Sequence, residues 1–536
     1  MRIFTLCKPY LLSCKYALAI YIFLTFTAVV IAILSPYILG DFIDNLIQGA
    51  DVDAILRFCM IFGGLNLLGI IKGYIASLIY VKMSNKMGFG FIRAVLQHIQ
   101  RASLSYSNNK DLAYISNRVA TDTSSMIGFC ITVLQGVTTN IIKLVAPFLV
   151  LFLLNRFITL LMLLFLMVYL LLYFACKKLL YEVGFKLRET QARFFSGMLE
   201  QLKFIKLIKV NAIQNEFNQR VDKKFSDHDR AAQRNQKVNY LYSGMDGIIS
   251  TTAQIILFVI GGLQILNGNF TIGMFTIFTA YFNMMLGAAR YFYGLGAAFQ
   301  QGKASCDRME EIFAQKPEIY GKEFPGKMQN ITFRNVSFAY HKEEVIRNFD
   351  TSLTIGNMYA IIGANGAGKS TLVNLMLGLY VDEYSGEIIY NHTNIRNIDM
   401  NAVRKNHIGY AAQEPELITD TIIYNLTHGK PYDSEHLDKC IKILNMSEFI
   451  AKHSLDYVIN DTNNNISGGE KQKIAILAAL SKNPCVMIFD EPTSALDADS
   501  AKRFVNYLRS IKDEKIIVII THDPQVQSHC DEIIKL

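Results

Sequence analysis

Six stretches within the first 300 residues are apolar almost without interruption: roughly 16–39, 56–80, 127–153, 157–176, 245–267 and 271–298. A helix needs about 20 such residues to cross the hydrocarbon core of a bilayer, so each stretch is predicted to span. The fourth, FITLLMLLFLMVYLLLYFA, is nearly uncharged and is the clearest. The first and last contain Pro36, glycines and tyrosines, which suits packing against protein or lining a cavity. The links 82–125 and 177–244 keep a helical period without lipid-grade apolarity, so they are predicted to carry the helices on into water. From about residue 328 the pattern changes. ITFRNVSFAY, MYAIIGA, HIGYAAQ, CVMIFDE and IIVIITH alternate with helical segments, which predicts a parallel sheet flanked by helices. The expected organisation is multi-domain: an all-α polytopic membrane domain of six helices over 1–310, a linker over 311–327 with Pro317 and Pro325, and an α/β domain over 328–536.

Charge orients this arrangement. Asp41, Asp44, Asp51 and Asp53 follow the first run, whereas Lys82, Lys86, Arg93, Arg101, Lys110 and Arg118 follow the second. The segment after the fourth run is also basic, from Lys177 and Lys178 to Arg234 and Lys237, and the links 154–156 and 267–270 are short. Positive loops stay on the cytoplasmic side, so both termini and both long links are predicted there. The formal charge of +8 is thereby explained by topology, and nucleic-acid binding is not expected. An apolar content of 51% with 18% charged residues fits a chain that is part membrane, part water-soluble. Nine scattered cysteines without a C-x-x-C pair argue against a disulfide framework or a zinc site, and fit a reducing cytosol. The opening MRIFTLCKPYLLSCKYALAI has no small-residue cleavage site, and is predicted to form a cytoplasmic elbow before a retained helix.

The candidate chemistry lies in the second half. MYAII runs into GANGAGKST, residues 363–371, which is G-x-x-x-x-G-K-[ST] between a strand and a helix-forming segment. Gly363, Asn365, Gly366, Ala367 and Gly368 form a loop whose N–H groups point at phosphate oxygens, and the helix that follows adds a favourable dipole. Lys369 reaches the terminal phosphates, and Ser370, with Thr371 beside it, supplies a hydroxyl for Mg²⁺. FDEPTSALD, 489–497, places Asp490 and Glu491 at the end of an apolar run, where charge is costly unless it is paired or holds a metal. In P-loop enzymes the first such acid holds the Mg²⁺ of the nucleotide, a role that falls to Asp490. Glu491 is then placed to orient or deprotonate an attacking water.

With these motifs the sequence resembles the ABC transporter family, specifically exporters with six membrane helices fused to one ATPase domain. The most specific feature is ISGGEKQK, 466–473, similar to the family signature LSGGQ, with Ile466 and Glu470 as departures. The resemblance implies that Ser467, Gly468 and Gly469 contact the γ-phosphate held by a second subunit. Glu470 would add a negative charge there and weaken nucleotide-driven closure. Tyr340 falls where an aromatic stacks on adenine, and Gln413 where a loop senses γ-phosphate and metal. SALD, 494–497, falls at the D-loop, and His522 at the switch histidine. Two further departures stand out. YVINDTNNN keeps only Asp461 of the acids usual before the signature, and the final strand and helix are expected to be missing or much reduced.

The implied activity is ATP hydrolysis, with Mg²⁺, at two composite sites of a homodimer, driving efflux across a bacterial cytoplasmic (inner) membrane by alternating access. Coupling helices would lie near 107–116 and 208–217. The cargo is a small modified peptide or, alternatively, a drug, lipid or lipid-linked sugar. NGAGKST and DEPTSALD look more like peptide exporters, and no peptidase domain is expected before the membrane part. Lys143, Asn283 and Arg290 within spans, with Tyr281, Tyr291 and Tyr293, are candidates for the cavity wall or for helix packing. A channel or regulator on this fold would carry a degraded catalytic residue or a long insert, and neither is seen. A soluble ABC protein is excluded by the six spans.

Overall fold

The computed structural model describes residues 2–104, 112–315, 317–318, 321–340, 343–459, 466–494 and 496–536, without the side chains of 112–114, 117, 293 and 297. It divides into two compact units, Met1–Gln97 with Ala113–Ala314, and His98–Leu112 with Gln315–Leu536.

In the first unit, α1 (Arg2–Ser13) precedes six long helices: α2 (Lys15–Ile47), α3 (Val52–Arg101), α4 (Leu112–Leu154), α5 (Arg156–Lys203), α7 (Gln214–Leu266) and α8 (Ile272–Phe313). A short α6 (Ile205–Asn211) sits between α5 and α7. Each predicted span falls, to within one residue at an end, on one of the six helices, and all six are long and apolar enough to cross a membrane. Leu67, Ile70, Ile71 and Tyr74 on α3 are exposed, as lipid-facing residues would be in a soluble frame of reference. Helix starts are fixed locally. Asn155 caps α5 by accepting from the N–H of Ile158, and Thr271 caps α8 by accepting from the N–H of Met274. Asp44, at the far end of α2, reinforces the second cap. Its carboxylate accepts from Thr271 Oγ1 at 2.6 Å and from the N–H of Gly273 at 2.7 Å. That approach needs glycine on both helices: a Cβ at Gly273 would meet the Gly40 carbonyl at 2.0 Å. Charge-assisted bonds contribute roughly 1.5–3 kcal/mol, so Asp44→Ala should lower the thermal midpoint of the purified protein by several degrees. An unchanged midpoint would remove this tie from the account of α2–α8 packing.

The second unit holds two sheets. β1 (Asn330–Tyr340), β2 (Glu343–Thr354), β4 (Tyr384–Tyr390) and β5 (Thr393–Asn394) form an antiparallel sheet in the order β2-β1-β4-β5. β3 (Met358–Ile362), β6 (Ile408–Ala411), β7 (Val486–Asp490), β8 (Ile516–Ile520) and β9 (Glu532–Lys535) form a parallel sheet in the order β6-β7-β8-β3-β9. Every residue of β7 and β8 is buried, which explains why VMIFD and IIVII read as continuous apolar runs and not as alternating ones. One apolar core includes Leu372, Val373 and Met376 from α9 (Lys369–Met376). After the short helices α10 (Met400–Asn406), α11 (Ile422–Thr427), α12 (Ser434–Ile443) and α13 (Ser447–His453), a second core includes Ile474 and Leu477 from α14 (Gly468–Ser481) and Phe504 and Leu508 from α15 (Ala498–Ile511).

One expectation is corrected. The final strand is present as β9, paired in register with β3 from Tyr359↔Glu532 to Ile362↔Lys535. Its four residues are too short and too polar to stand out by pattern, since a lysine and a glutamate flank only two isoleucines.

Candidate functional site

The C-terminal ends of β3 and β7 converge with the ends of their neighbours, the usual place for a ligand in an open parallel sheet. After β3 the chain turns through Gly366 and Gly368, with φ of +84° and +96°, conformations that only glycine adopts freely. Gly368 is also short of space, because a Cβ there would lie 2.9 Å from Val345 Cγ1. Lys369 opens α9 and folds back over the loop, donating to the carbonyls of Gly363 at 2.8 Å and Ala364 at 3.0 Å. Asn365 and Ser370 are exposed, Gly363 and Ala367 half-buried, and Thr371 buried. Thr371 Oγ1 donates to the Tyr340 hydroxyl at 3.4 Å, and that hydroxyl donates to Tyr380 at 3.4 Å. Tyr340 therefore stands beside the loop, held edge-on against Phe338 and Tyr380 and with part of its ring exposed.

Asp490 ends β7 and is 7% exposed. Burial raises its carboxyl above the usual carboxylate range, the Glu491 charge adds to that rise, and Lys369 opposes it. Glu491 turns out of the strand with φ of +47°, strained for a residue with a side chain, and is anchored by its own N–H to the Ile520 carbonyl at 2.9 Å. The strain aims its carboxylate at two other candidates. Gln413 Nε2 donates to Glu491 Oε2 at 2.8 Å, and His522 Nε2 lies 3.7 Å from Glu491 Oε1. Gln413, Glu491 and His522 come from three separate strand ends and meet at one point.

The pattern missed what holds Glu491 in place. Gln472 is buried within α14, and its amide donates to the Glu491 carbonyl at 2.9 Å. Ser494 Oγ donates to the same carbonyl at 2.9 Å. A lone glutamine on an otherwise apolar helix face is the signal that could have found it.

Ser467, Gly468 and Gly469 open α14. The Ser467 hydroxyl accepts from the N–H of Glu470 at 3.2 Å, and the Glu470 carboxylate accepts from the N–H of Ser467 at 2.6 Å. Glu470 thus closes a capping box, a bond that glutamine makes equally well, and its carboxylate still brings a negative charge to this helix start. Ile466 is buried in the second core, so it fills the apolar place of the leucine it replaces. Glu470→Gln should leave the thermal midpoint and ATP hydrolysis within about twofold of the parent, whereas Glu470→Ala should lose the cap, about 0.5–1 kcal/mol. A midpoint for the alanine variant equal to that of the parent would sink the capping role.

Asp497 caps α15 through Ser500, which with Lys473 holds its carboxyl below the usual range. Ala495, Asp461 with the rest of 460–465, and residues 107–111 of the first expected coupling helix lie outside the described residues. The second expected coupling helix coincides with α6 and the start of α7. In the membrane unit Arg290 pairs with Asp246 at 2.8 Å, Asn283 accepts from Gln254 at 3.0 Å, and the buried Tyr281 donates to the Ile33 carbonyl at 2.6 Å. Tyr291 donates to the Thr132 carbonyl at 3.0 Å, Lys143 is half-buried, and the Tyr293 side chain lies outside the described residues.

The loop after β3, the acid pair after β7 and six candidate spans narrow the identity. The profile of the ABC transporter transmembrane region matches residues 18–289, and a second profile, described as ABC transporter, matches residues 346–494. The chain belongs to the ABC transporter family. This ABC transporter has its membrane domain fused to one ATPase domain, which binds ATP and couples its hydrolysis to transport. It is similar to an ATP-dependent lipid A-core flippase of Syntrophus aciditrophicus, 24% identical over 491 residues, covering 90% of this chain and 80% of the relative. It is also similar to a lactococcin-G-processing and transport ATP-binding protein of Lactococcus lactis, 29% identical over 357 residues, covering 64% of this chain and 49% of the relative. The fold matches that of a bacterial Atm1-family ABC exporter with ATP bound, with a TM-score of 0.82 and 19% identity over 98% of this chain and 93% of that one.

Proposed function

We propose that this ABC transporter works as a homodimer that hydrolyses ATP at two composite sites and exports a small modified peptide across the cytoplasmic membrane, its ATPase domain in the cytosol. The observation that carries the catalytic part is the meeting of Gln413, Glu491 and His522 at the sheet edge beside Lys369 and Asp490. Glu491 accepts the proton of the attacking water, Gln413 orients the carboxylate, and His522 faces the same point. Lys369, with the loop N–H groups, holds the terminal phosphates, and Tyr340 stacks on the base.

The donor set fits Mg²⁺. The Ser370 hydroxyl, the Gln413 amide oxygen and the buried Asp490 carboxylate are all hard oxygens, and Asp490 has a single opposing cation, Lys369. Among the described residues no three His, Cys, Asp or Glu side chains are grouped to hold a metal. That suits an ion completed by phosphate oxygens. When bound, Mg²⁺ neutralises charge on the β- and γ-phosphates. Ser467, Gly468 and Gly469 present their helix start to the nucleotide of the second copy.

Similarity to the lactococcin-G transporter supports peptide cargo. The near full-length similarity to lipid A-core flippases favours a second reading, a lipid or lipid-linked sugar. Mass spectrometry of medium and cell extract, with wild type beside Glu491→Gln, separates the two. A peptide that leaves the medium and accumulates inside supports peptide export. Unchanged secreted peptides with redistributed lipids move the assignment to lipid.

A further inference from the structure

A cavity of about 780 Å³ opens within the membrane unit between α5, α7 and α8. At 1.5 Å per residue from Arg156, Tyr173 lies about 26 Å along α5 and Arg188 about 48 Å, so the cavity starts near the inner edge of a ~30 Å hydrocarbon core and extends into water. Its apolar wall includes Tyr173, Tyr181 and Phe299, the last two exposed. Its cations are Lys177, Arg188 and Lys303, against a single carboxylate, Asp307. Among the described residues none of these three cations makes an ion pair, and Arg188 only donates to the Gly184 carbonyl at 3.3 Å. Space is kept by small residues: a Cβ at Gly296 would lie 3.4 Å from the Tyr173 hydroxyl, and one at Gly184 would lie 3.9 Å from Arg188 Nη2. The surrounding helices continue the bias, since Lys and Arg outnumber Asp and Glu two to one between Lys177 and Lys237.

Unpaired cations beside low-dielectric walls focus a positive potential that draws in anions and turns cations away. Flat aromatic surface next to them adds affinity for an apolar body. We propose that this cavity is the cytoplasmic docking site of the cargo, and that it selects an anionic amphiphile: a carboxylate or phosphate next to an apolar group. The inference rests on the exporter reading and names the substrate class that reading leaves open.

The chain has no tryptophan, so Phe299→Trp places one fluorescent reporter in the cavity wall. Full-length protein in nanodiscs is titrated with lysophosphatidic acid against zwitterionic lysophosphatidylcholine, and with an acetylated leucine-rich peptide carrying two glutamates against its glutamine counterpart. At least one anionic probe should bind about tenfold tighter than its counterpart, the scale of one retained charge contact. That preference should vanish in Lys177→Gln/Lys303→Gln, and binding of either kind should weaken in Gly296→Leu, which fills the space beside Tyr173. A peptide preference names a carboxylate cargo, and a lysophosphatidic acid preference names a phosphate one. The proposal is overturned if neither anionic probe outbinds its counterpart, or if the preference survives loss of both lysines. ATP hydrolysis is measured in the same samples. Hydrolysis that is intact and sensitive to Glu491→Gln, with a silent reporter, sinks the cavity assignment alone. Absent hydrolysis in the parent sinks the exporter reading beneath it.

Discussion

Full-length protein carrying Glu491→Gln is expected to bind ATP as the parent does and to hydrolyse it at least about a hundredfold more slowly, the lower end of what a general base contributes. The substitution is nearly isosteric, and the local geometry shows why it should leave binding intact. The φ of +47° at residue 491 is set by the backbone bond to Ile520 and by Gln472 and Ser494 on its carbonyl, none of which involves the carboxylate. The amide oxygen of the new side chain still accepts from Gln413, so the loop keeps its shape. What is lost is the proposed proton acceptor. Asp490 is a poor substitute, because it is buried at the strand end and is the carboxylate proposed to hold Mg²⁺. Hydrolysis and nucleotide binding, measured separately on the purified protein, give the answer. A rate within about threefold of the parent would take Glu491 out of the base role. Gln472→Ala tests positioning. It leaves every candidate contact to nucleotide in place and removes one of three bonds to the Glu491 carbonyl, the other two coming from the Ser494 hydroxyl and N–H, so the rate should fall by about tenfold with ATP affinity unchanged.

The two halves of the chain were legible for different reasons. The spans announce themselves by length, because the bilayer sets a minimum that no soluble helix needs, and Arg156–Lys203 holds the run 157–176 within a far longer helix. The candidate phosphate loop and the Asp490–Glu491 pair are local in sequence, so a dozen residues carry both the fold signal and the candidate chemistry. Contacts between distant segments were not legible. Arg290 read alone is a charged residue in a span, and only the packing of α7 against α8 supplies Asp246. The capping role of Glu470 was not legible either, because charge counting ignores direction, and its side chain points back to the Ser467 N–H. β9 escaped because it gains its place from pairing with β3, an edge position that asks little of its own sequence.

Gly368→Val is expected to reduce ATP affinity by at least about thirtyfold while the protein still folds and inserts. Residue 368 has φ of +96°, a conformation that costs a β-branched residue roughly 1–3 kcal/mol. Crowding adds to this, because a Cβ there would already meet Val345 Cγ1 at 2.9 Å and the Val345 carbonyl at 3.3 Å. Overpacking of that kind costs roughly 1–3 kcal/mol. Relief comes by shifting the loop or β2, and β2 is held along its length by β1 from Asn330↔Thr354 to Tyr340↔Glu343. The loop therefore moves, and with it the N–H groups at the start of α9 and the Lys369 ammonium that now rests on Gly363 and Ala364. A loss of about 2 kcal/mol in phosphate binding corresponds to the thirtyfold figure. Gly366→Val is the internal comparison: φ there is +84° but nothing lies within 4 Å of its Cβ, so strain acts without crowding. Its effect should be smaller than that of Gly368→Val. Equal losses at the two positions would show that backbone conformation alone governs the loop, and an affinity at Gly368→Val within about threefold of the parent would show that β2 yields instead.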